Sequence, residues 1–277
     1  MIDKISFSAL EAFVTDRQKF YRRYILKERT PSSQALVVGD GVHQCIERYL
    51  NDPSMFDMEK EIQRIWGEIV KQQQTGEVDQ KLIEEEVVEE IMTGVTHALT
   101  WITEMLPSQP LHIEKKIETP LMSPSGYVIP HVVGVVDMID ANGIIYDWKC
   151  VSKFSSDETI SPKYILQATC YAILAETTKV IEHPVESVFF VEIKKVHPKT
   201  KKKDEAPDVV RVHKIDILPI YKDALLTMFE RMHRELMGEN MLEQGLVIPN
   251  VFGMFGNEDP WQYYLQNFIS QSEETLW

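Results

Sequence analysis

Gly134-Val135-Val136-Asp137-Met138-Ile139-Asp140-Ala141-Asn142-Gly143-Ile144-Ile145-Tyr146-Asp147-Trp148-Lys149 is the stretch that decides the fold of this 277-residue chain. From Val132 to Ile139 the residues form a near-continuous β-branched run, the pattern of a strand buried on both faces. Asn142-Gly143 between two apolar runs is the strongest short hairpin signal, and it lays Ile144 to Lys149 beside the first strand. Upstream, Ile117-Glu118-Thr119-Pro120-Leu121 and a polar turn add a third strand. A carboxylate inside such a strand has to be paired, neutralised or bound to a metal, because an unpaired buried charge is too costly. The hairpin brings Asp147 towards Asp137. Alternation along the second strand sets Asp147 and Lys149 on one face and Tyr146 and Trp148 on the other. Two carboxylates beside an ammonium make a plausible site for a metal ion and a water.

An acid-x-lysine triplet occurs by chance on the order of once in a chain of this size, so context has to decide. Glu114-Lys115-Lys116 and Glu192-Ile193-Lys194 fit the same pattern in strand-like segments. Only Asp147-Trp148-Lys149 follows Gly-x-x-Asp and a hairpin turn, the arrangement that gathers two acids around one ion.

The remaining chain frames this core. Ser8-Ala9-Leu10-Glu11 reads as a capping box that launches an amphipathic helix to about Leu26, carrying the basic residues Arg17, Lys19, Arg22, Arg23 and Lys27. Gly39 to Leu50 reads as a helix bearing His43 and ending at Asn51-Asp52-Pro53. Helices near Met58 to Gln74 and Ile83 to Leu106 follow, the second with a solvated acidic run at Glu84, Glu85, Glu86, Glu89 and Glu90. Pro162 opens a helix on which Gln167 and Tyr171, four apart, share one face. Val185 to Ile193 and Val209 to Ile215 read as strands flanking a basic loop, and Leu218 to Met237 as a terminal helix. The segment Pro249 to Trp277 is aromatic-rich and without a chemical motif.

The formal net charge of −14 disfavours a nonspecific nucleic-acid coat, since phosphate is bound mostly by Lys and Arg, although a local basic track suffices for an enzyme. Cys45, Cys150 and Cys170 have no paired spacing, which points away from a disulfide framework or a zinc site and towards a reducing intracellular compartment. The absence of an apolar run near 18 residues or a secretory h-region predicts a chain that is neither membrane-bound nor secreted.

Gly134-Val135-Val136-Asp137, Asp147-Trp148-Lys149 and Gln167-Ala168-Thr169-Cys170-Tyr171 resemble motifs of the PD-(D/E)xK nuclease superfamily, in its RecB-like branch related to lambda exonuclease. Ser6-Phe7-Ser8-Ala9-Leu10 and Phe20-Tyr21-Arg22-Arg23-Tyr24-Ile25 resemble that branch's opening helix, and Gly41-Val42-His43 sits where it carries a metal-site histidine. The resemblance implies an α/β, restriction-endonuclease-like core: one nuclease domain with a mixed β-sheet flanked by helices at 111–215, a helical elaboration at 54–106, and a C-terminal helix and tail at 216–277. It implies a metal-dependent deoxyribonuclease, an end-dependent exonuclease of recombination, repair or viral genome processing. Asp137 and Asp147 would hold Mg²⁺ or Mn²⁺ with His43, Glu118 and the Trp148 carbonyl; Lys149 would orient or activate water, and Gln167 and Tyr171 would support the site and contact DNA. Cluster-bearing relatives place one cysteine in the first helix and three near the C-terminus; their lack here predicts no Fe-S cluster. The rival reading is a catalytically silent scaffold that binds nucleic acid or a protein partner in a repair or replication assembly.

Positive charge for a DNA partner falls on Lys194, Lys195, Lys199, Lys201, Lys202 and Lys203, with Arg22 and Arg23 as a second basic group. Each phosphate contact contributes about −0.9 to the slope of log affinity against log salt on duplex DNA. Replacing Lys201, Lys202 and Lys203 with Ala should flatten that slope by about one to two units, measured in Ca²⁺ to suppress cleavage. An unchanged slope moves the DNA track to Arg17, Lys19, Arg22 and Arg23.

Overall fold

A computed structural model describes residues 4–155, 161–195 and 208–237. In chain order these form β1 (Ile5–Ser6), α1 (Phe7–Thr15), α2 (Arg17–Phe20), a π-helical turn (Tyr21–Ile25), α3 (Gln34–Asn51), α4 (Met58–Thr75) and α5 (Glu84–Met105). There follow β2 (Pro110–Met122), β3 (Val128–Asp140), β4 (Ile145–Val151), α6 (Pro162–Thr177), β5 (Ser187–Lys194), β6 (Val210–Asp216) and α7 (Pro219–Met237).

All six strands join one mixed sheet, and β3 organises it. Along one edge β3 pairs antiparallel with β2 over nearly its whole length. Its other edge is shared: β1 runs parallel beside Val132 and Val133, and β4 antiparallel beside Met138 and Ile139. Between these two partners, Gly134 to Asp137 has no strand neighbour on that side among the described residues. The Asn142-Gly143 hairpin forms as the sequence predicts, with Gly143 at φ 77° and the Asp140 carboxylate accepting from the Asn142 and Ile144 N–H groups at 2.9 and 2.8 Å. β4 runs parallel with β5 over its whole length, Ile145 to Val151, but keeps only two registered pairs with β3; β5 in turn pairs antiparallel with β6.

Alternation assigns the residues of β4 and β5 to two faces, while on β3 it is interrupted between Val136 and Ile139, three apart yet in one core cluster. Met138, Tyr146, Trp148, Val191 and Ile193 pack against Val38, Ile62 and Ile91 from α3, α4 and α5. Trp148 meets Trp101 edge-on at 5.9 Å and stacks with Tyr146 at 6.3 Å. The helices from segment 54–106 therefore cover that face directly. Val136, Ile139, Ile145, Val188 and Phe190 pack on the other face against α1, α6 and α7. Among the described residues no helix is long and apolar enough to cross a membrane.

Local chemistry sets the helix ends. The Asp57 side chain accepts from Lys60 N at the start of α4, and Gly76 closes that helix in the left-handed conformation. Glu84, Glu85 and Glu86 occupy the first turn of α5, where negative charge suits the helix dipole. The opening helix departs from expectation. Its cap is Ser6, whose side chain accepts from Ala9 N at 3.2 Å, while Glu11 turns away to Lys163 at 2.9 Å, so the Ser8 capping box does not form. The helix also breaks at Asp16, whose carboxylate accepts from Lys19 N at 2.9 Å. A short carboxylate that satisfies a backbone donor competes with helix continuation, and here it restarts the chain as α2.

Gly134 explains its place in Gly-x-x-Asp by close approach. A Cβ there would stand 2.7 Å from Leu174 Cδ1 of α6, a side chain that is fully buried. Gly134→Val should therefore destabilise the protein by about 1–3 kcal/mol through overpacking, read as a lowered urea midpoint. A midpoint equal to that of the parent protein would show that α6 does not sit as tightly on β3 as described.

Candidate active site and metal centre

The edge of β3 left free between β1 and β4 is where the ionisable groups meet. Where the β3–β4 ladder ends, the Trp148 backbone N–H donates to Asp137 Oδ2 at 2.8 Å. The same oxygen lies 3.5 Å from His43 Nδ1. His43 is delivered by α3, which sits close to α5 because Gly41 faces Ile91 and Gly94 faces Val42, each with no room for a Cβ. On the far side of β3, the pairs Ile113–Met138 and Lys115–Val136 bracket Glu114 opposite Asp137. Glu114 takes a positive φ of 47°, a conformation uncommon for a residue with a Cβ. One ligand atom from each of His43, Glu114 and Asp137 lies within 4.8 Å of the others.

Asp147 is 1 % exposed on the opposite face from Trp148, as alternation predicts. Its Oδ1 pairs with the Lys149 ammonium. Its Oδ2 accepts from Tyr171 Oη at 2.9 Å and from Gln167 Nε2 at 3.2 Å, and Gln167 also donates to Tyr171 Oη at 2.7 Å. One face of α6 thus fixes the position of Asp147.

The titration behaviour separates these groups. Burial, followed by the charges of Asp137, Glu47, Asp147 and Asp40, pushes the Glu114 carboxyl up to about 7. Burial and then the Asp147 charge also push Asp137 upward, against the pull of His43 and Lys149. Burial works to lower the Lys149 pKa, but the Asp147 and Asp137 charges outweigh it and hold the amine above its ordinary range. Burial, with the same two acids, holds Tyr171 well above the ordinary phenol value, so its hydroxyl remains a donor. Crowded acids with too little positive charge, facing one imidazole, form a hard oxygen-rich donor set that fits a divalent cation such as Mg²⁺ or Mn²⁺.

The structure brings together His43, Asp137, Asp147, Lys149, Gln167 and Tyr171, with the Trp148 backbone between them. Glu118 is not among them. It lies opposite Val133, four residues from the position facing Asp137, and is held outside by Lys4 at 2.7 Å and His131 at 3.6 Å. Glu114 is the acid of β2 that reaches the cluster. Counting the antiparallel register four residues back from Glu118 opposite Val133 leads to it, but that register is set by the Ser123 to Gly126 turn and an irregularity after Thr119. Lys195 also departs from its expected role: it is 6 % exposed, with Nζ 3.2 Å from Glu90, and ties the end of β5 to α5 rather than meeting phosphate. Lys194 lies over the Phe154 ring at 4.2 Å and donates to the Asp208 carbonyl at 3.0 Å. Arg22 and Arg23 are exposed on the π-helical turn, Arg22 3.9 Å from Glu28 and Arg23 5.7 Å from the Tyr24 ring centroid. Lys199, Lys201, Lys202 and Lys203 lie outside the described residues, as does the segment Pro249 to Trp277.

A family model described as the PD-(D/E)XK nuclease superfamily matches residues 4–244. No curated protein matches the sequence. Among solved structures, a protein of Eubacterium rectale provisionally assigned as an exonuclease is 13% identical, with 90% of this chain and 84% of that chain covered at a TM-score of 0.54. An alkaline exonuclease from Laribacter hongkongensis is 14% identical, with 88% of this chain and 93% of that chain covered at a TM-score of 0.40. The first of these shares the fold.

The raised carboxyls carry a signed pH dependence. A carboxyl with a folded-state pKa above its unfolded value near 4.5 loses stability for the protein as pH rises from that value through about 7, the position of Glu114. In EDTA the melting temperature should therefore fall from pH 5 to pH 8, and Glu114→Gln should flatten that fall. Mn²⁺ at about 100 times its Kd should restore about 2.7 kcal/mol, more effectively at the alkaline end. An EDTA profile that Glu114→Gln leaves unchanged shows that Glu114 does not titrate above its ordinary range, and Mn²⁺ stabilisation that it leaves unchanged removes Glu114 from the metal centre.

Proposed function

Because the chain belongs to the PD-(D/E)XK nuclease superfamily, we propose that it is a metal-dependent deoxyribonuclease whose reaction is hydrolysis of phosphodiester bonds in DNA. The observation that carries this reading is the meeting, at one break in the sheet, of a three-ligand cluster and an acid–lysine pair. His43, Glu114 and Asp137 would hold Mg²⁺ or Mn²⁺, with Asp147 and the Trp148 carbonyl beside them. Such an ion, when bound, supplies an activated water and positive charge for the phosphoryl oxygens.

The chain's own residues do the rest. Lys149 is held protonated by Asp147 and Asp137. It therefore acts as a donor that orients the attacking water and stabilises the charge growing on the phosphoryl group, rather than as a base. Asp147 holds that ammonium in place, and Gln167 and Tyr171 hold Asp147. Beside Lys149 opens a cleft of about 500 Å³ lined by Ser8, Ser155, Ser161, Lys163, Tyr164 and Gln167. Glu11, paired with Lys163 at 2.9 Å, also lines it; the serine and tyrosine hydroxyls, the Gln167 amide and the Lys149 ammonium suit the sugar-phosphate of a single strand. A cleft of small-molecule size admits a strand end more readily than a continuous duplex, and this supports an exonuclease mode. Recombination, repair or viral genome processing would supply such ends.

Digestion of end-labelled linear, circular and single-stranded DNA in Mg²⁺, Mn²⁺ and EDTA tests the reading. Cleavage should need metal and a free end. Asp147→Ala and Lys149→Ala should each lower the rate by about 10²–10³-fold or more without loss of fold. Asp147→Ala that cleaves at the parent rate would refute the assigned site, circular DNA cut as fast as linear would make the enzyme an endonuclease, and metal binding without cleavage of any form would favour a silent scaffold.

A further inference from the structure

Among the described residues, Glu192 is the most thoroughly satisfied buried acid outside the metal cluster. It is 0 % exposed and stands beside Lys149 in the parallel β4–β5 register. Its carboxylate accepts from the Ser155 backbone N–H at 2.9 Å, from the Ser155 hydroxyl, from Tyr164 Oη at 3.1 Å and from His213 Nε2 at 3.2 Å. These donors come from three separate segments: the connection after β4, the first turn of α6, and β6. Tyr164 in turn lies flat on Phe190, with ring centroids 4.5 Å apart and planes within 4°, and the Lys149 ammonium sits 5.4 Å from the Phe190 centroid. Ser155 and Tyr164 also line the cleft that Lys149 enters.

We infer that Glu192 is a positioning residue for the nuclease reaction: it locks the Ser155 and Tyr164 wall of the substrate cleft and, through the Tyr164–Phe190 stack, the surface on which Lys149 rests. This rests on the nuclease reading and extends it to an acid that the metal cluster does not use. The chemistry favours a holding role over a reacting one. The carboxylate is fully buried and occupied by four donors, so it cannot take a proton from water, whereas removing it leaves hydroxyl, amide and imidazole donors without an acceptor. Displacement of a reacting group by about 1 Å can cost about 10²-fold in rate.

The experiment compares Glu192→Ala, Glu192→Gln and Tyr164→Phe with the parent protein for melting temperature, Mn²⁺ affinity by calorimetry, kcat and KM on linear DNA, and oligonucleotide affinity by anisotropy in Ca²⁺. Glu192→Ala should lose about 10²-fold in kcat/KM, with kcat carrying most of the loss, while Mn²⁺ affinity stays that of the parent. Glu192→Gln should recover most of the rate, because the Ser155 and Tyr164 hydroxyls can rotate to accept from its amide. Tyr164→Phe, which keeps the ring stack, should lose less than Glu192→Ala. Should Glu192→Ala fail to fold, the two milder variants decide: kcat and KM equal to the parent's in both overturn the inference. Loss of Mn²⁺ affinity in step with kcat also overturns it, by assigning the effect to the metal centre. A parent protein that cleaves no DNA sinks the nuclease reading and this inference with it, a result distinct from active parent and unaffected variants.

Discussion

The hydrogen bond from the Trp148 N–H to Asp137 Oδ2 is the point on which the architecture turns. Antiparallel strands joined by a tight turn ordinarily continue their ladder, but β3 and β4 part after two registered pairs. Parting leaves backbone donors to be satisfied, and an unsatisfied buried N–H is rarely tolerated. The Asp137 carboxylate answers that need while facing His43 and Glu114 with its remaining capacity. The opening of the sheet and the gathering of the acids are therefore one event. Moving Asp137 by one residue would turn its side chain to the other face and leave the gap without a cap.

Four acids in this small region carry the same functional group and differ because their surroundings differ. Asp137, with Glu114 nearby, has more negative charge around it than the chain neutralises, and both carboxyls are pushed up. Asp147 is answered by Lys149, Tyr171 and Gln167. Glu192 meets hydroxyl, amide and imidazole donors, which outweigh its burial and hold its carboxyl below the ordinary range. Environment thus sorts identical carboxyl groups into a cation-seeking pair, an anchor for an ammonium and a hub for loops.

The two faces of the sheet divide the work. On one, Trp148, Tyr146, Phe189 and Trp101 make an aromatic layer that seats the sheet on α5. On the other, Asp147, Lys149 and Glu192 point towards α6 and the cleft. Lysine follows the same logic of surroundings. Lys149 and Lys195 are both drawn inward by acids, the first beside the site and the second against Glu90, where it fastens β5 to a helix.

Short-range physics made much of this legible from the residues alone. The β-branched run, the Asn142-Gly143 turn and the period of two placed Asp137, Asp147 and Lys149 on adjoining strands, and the four-residue spacing put Gln167 and Tyr171 on one helix face; each depends on local geometry that neighbouring residues dictate. The edges of helices were less secure, since Ser6 and Ser8 offer the same capping chemistry and only the packed chain selects Ser6. What tertiary structure decided is which distant groups meet. Glu114 and Glu118 are both glutamates on β2, and their fates divide on a register that a turn and an irregularity set together. Glu192 shares a triplet pattern with Asp147, yet its role follows from Ser155, Tyr164 and His213, which reach it from three other segments. Charge alone could not separate Lys195 from a DNA-binding lysine, because its partner Glu90 lies far away in sequence, on α5, and burial is a property of the fold.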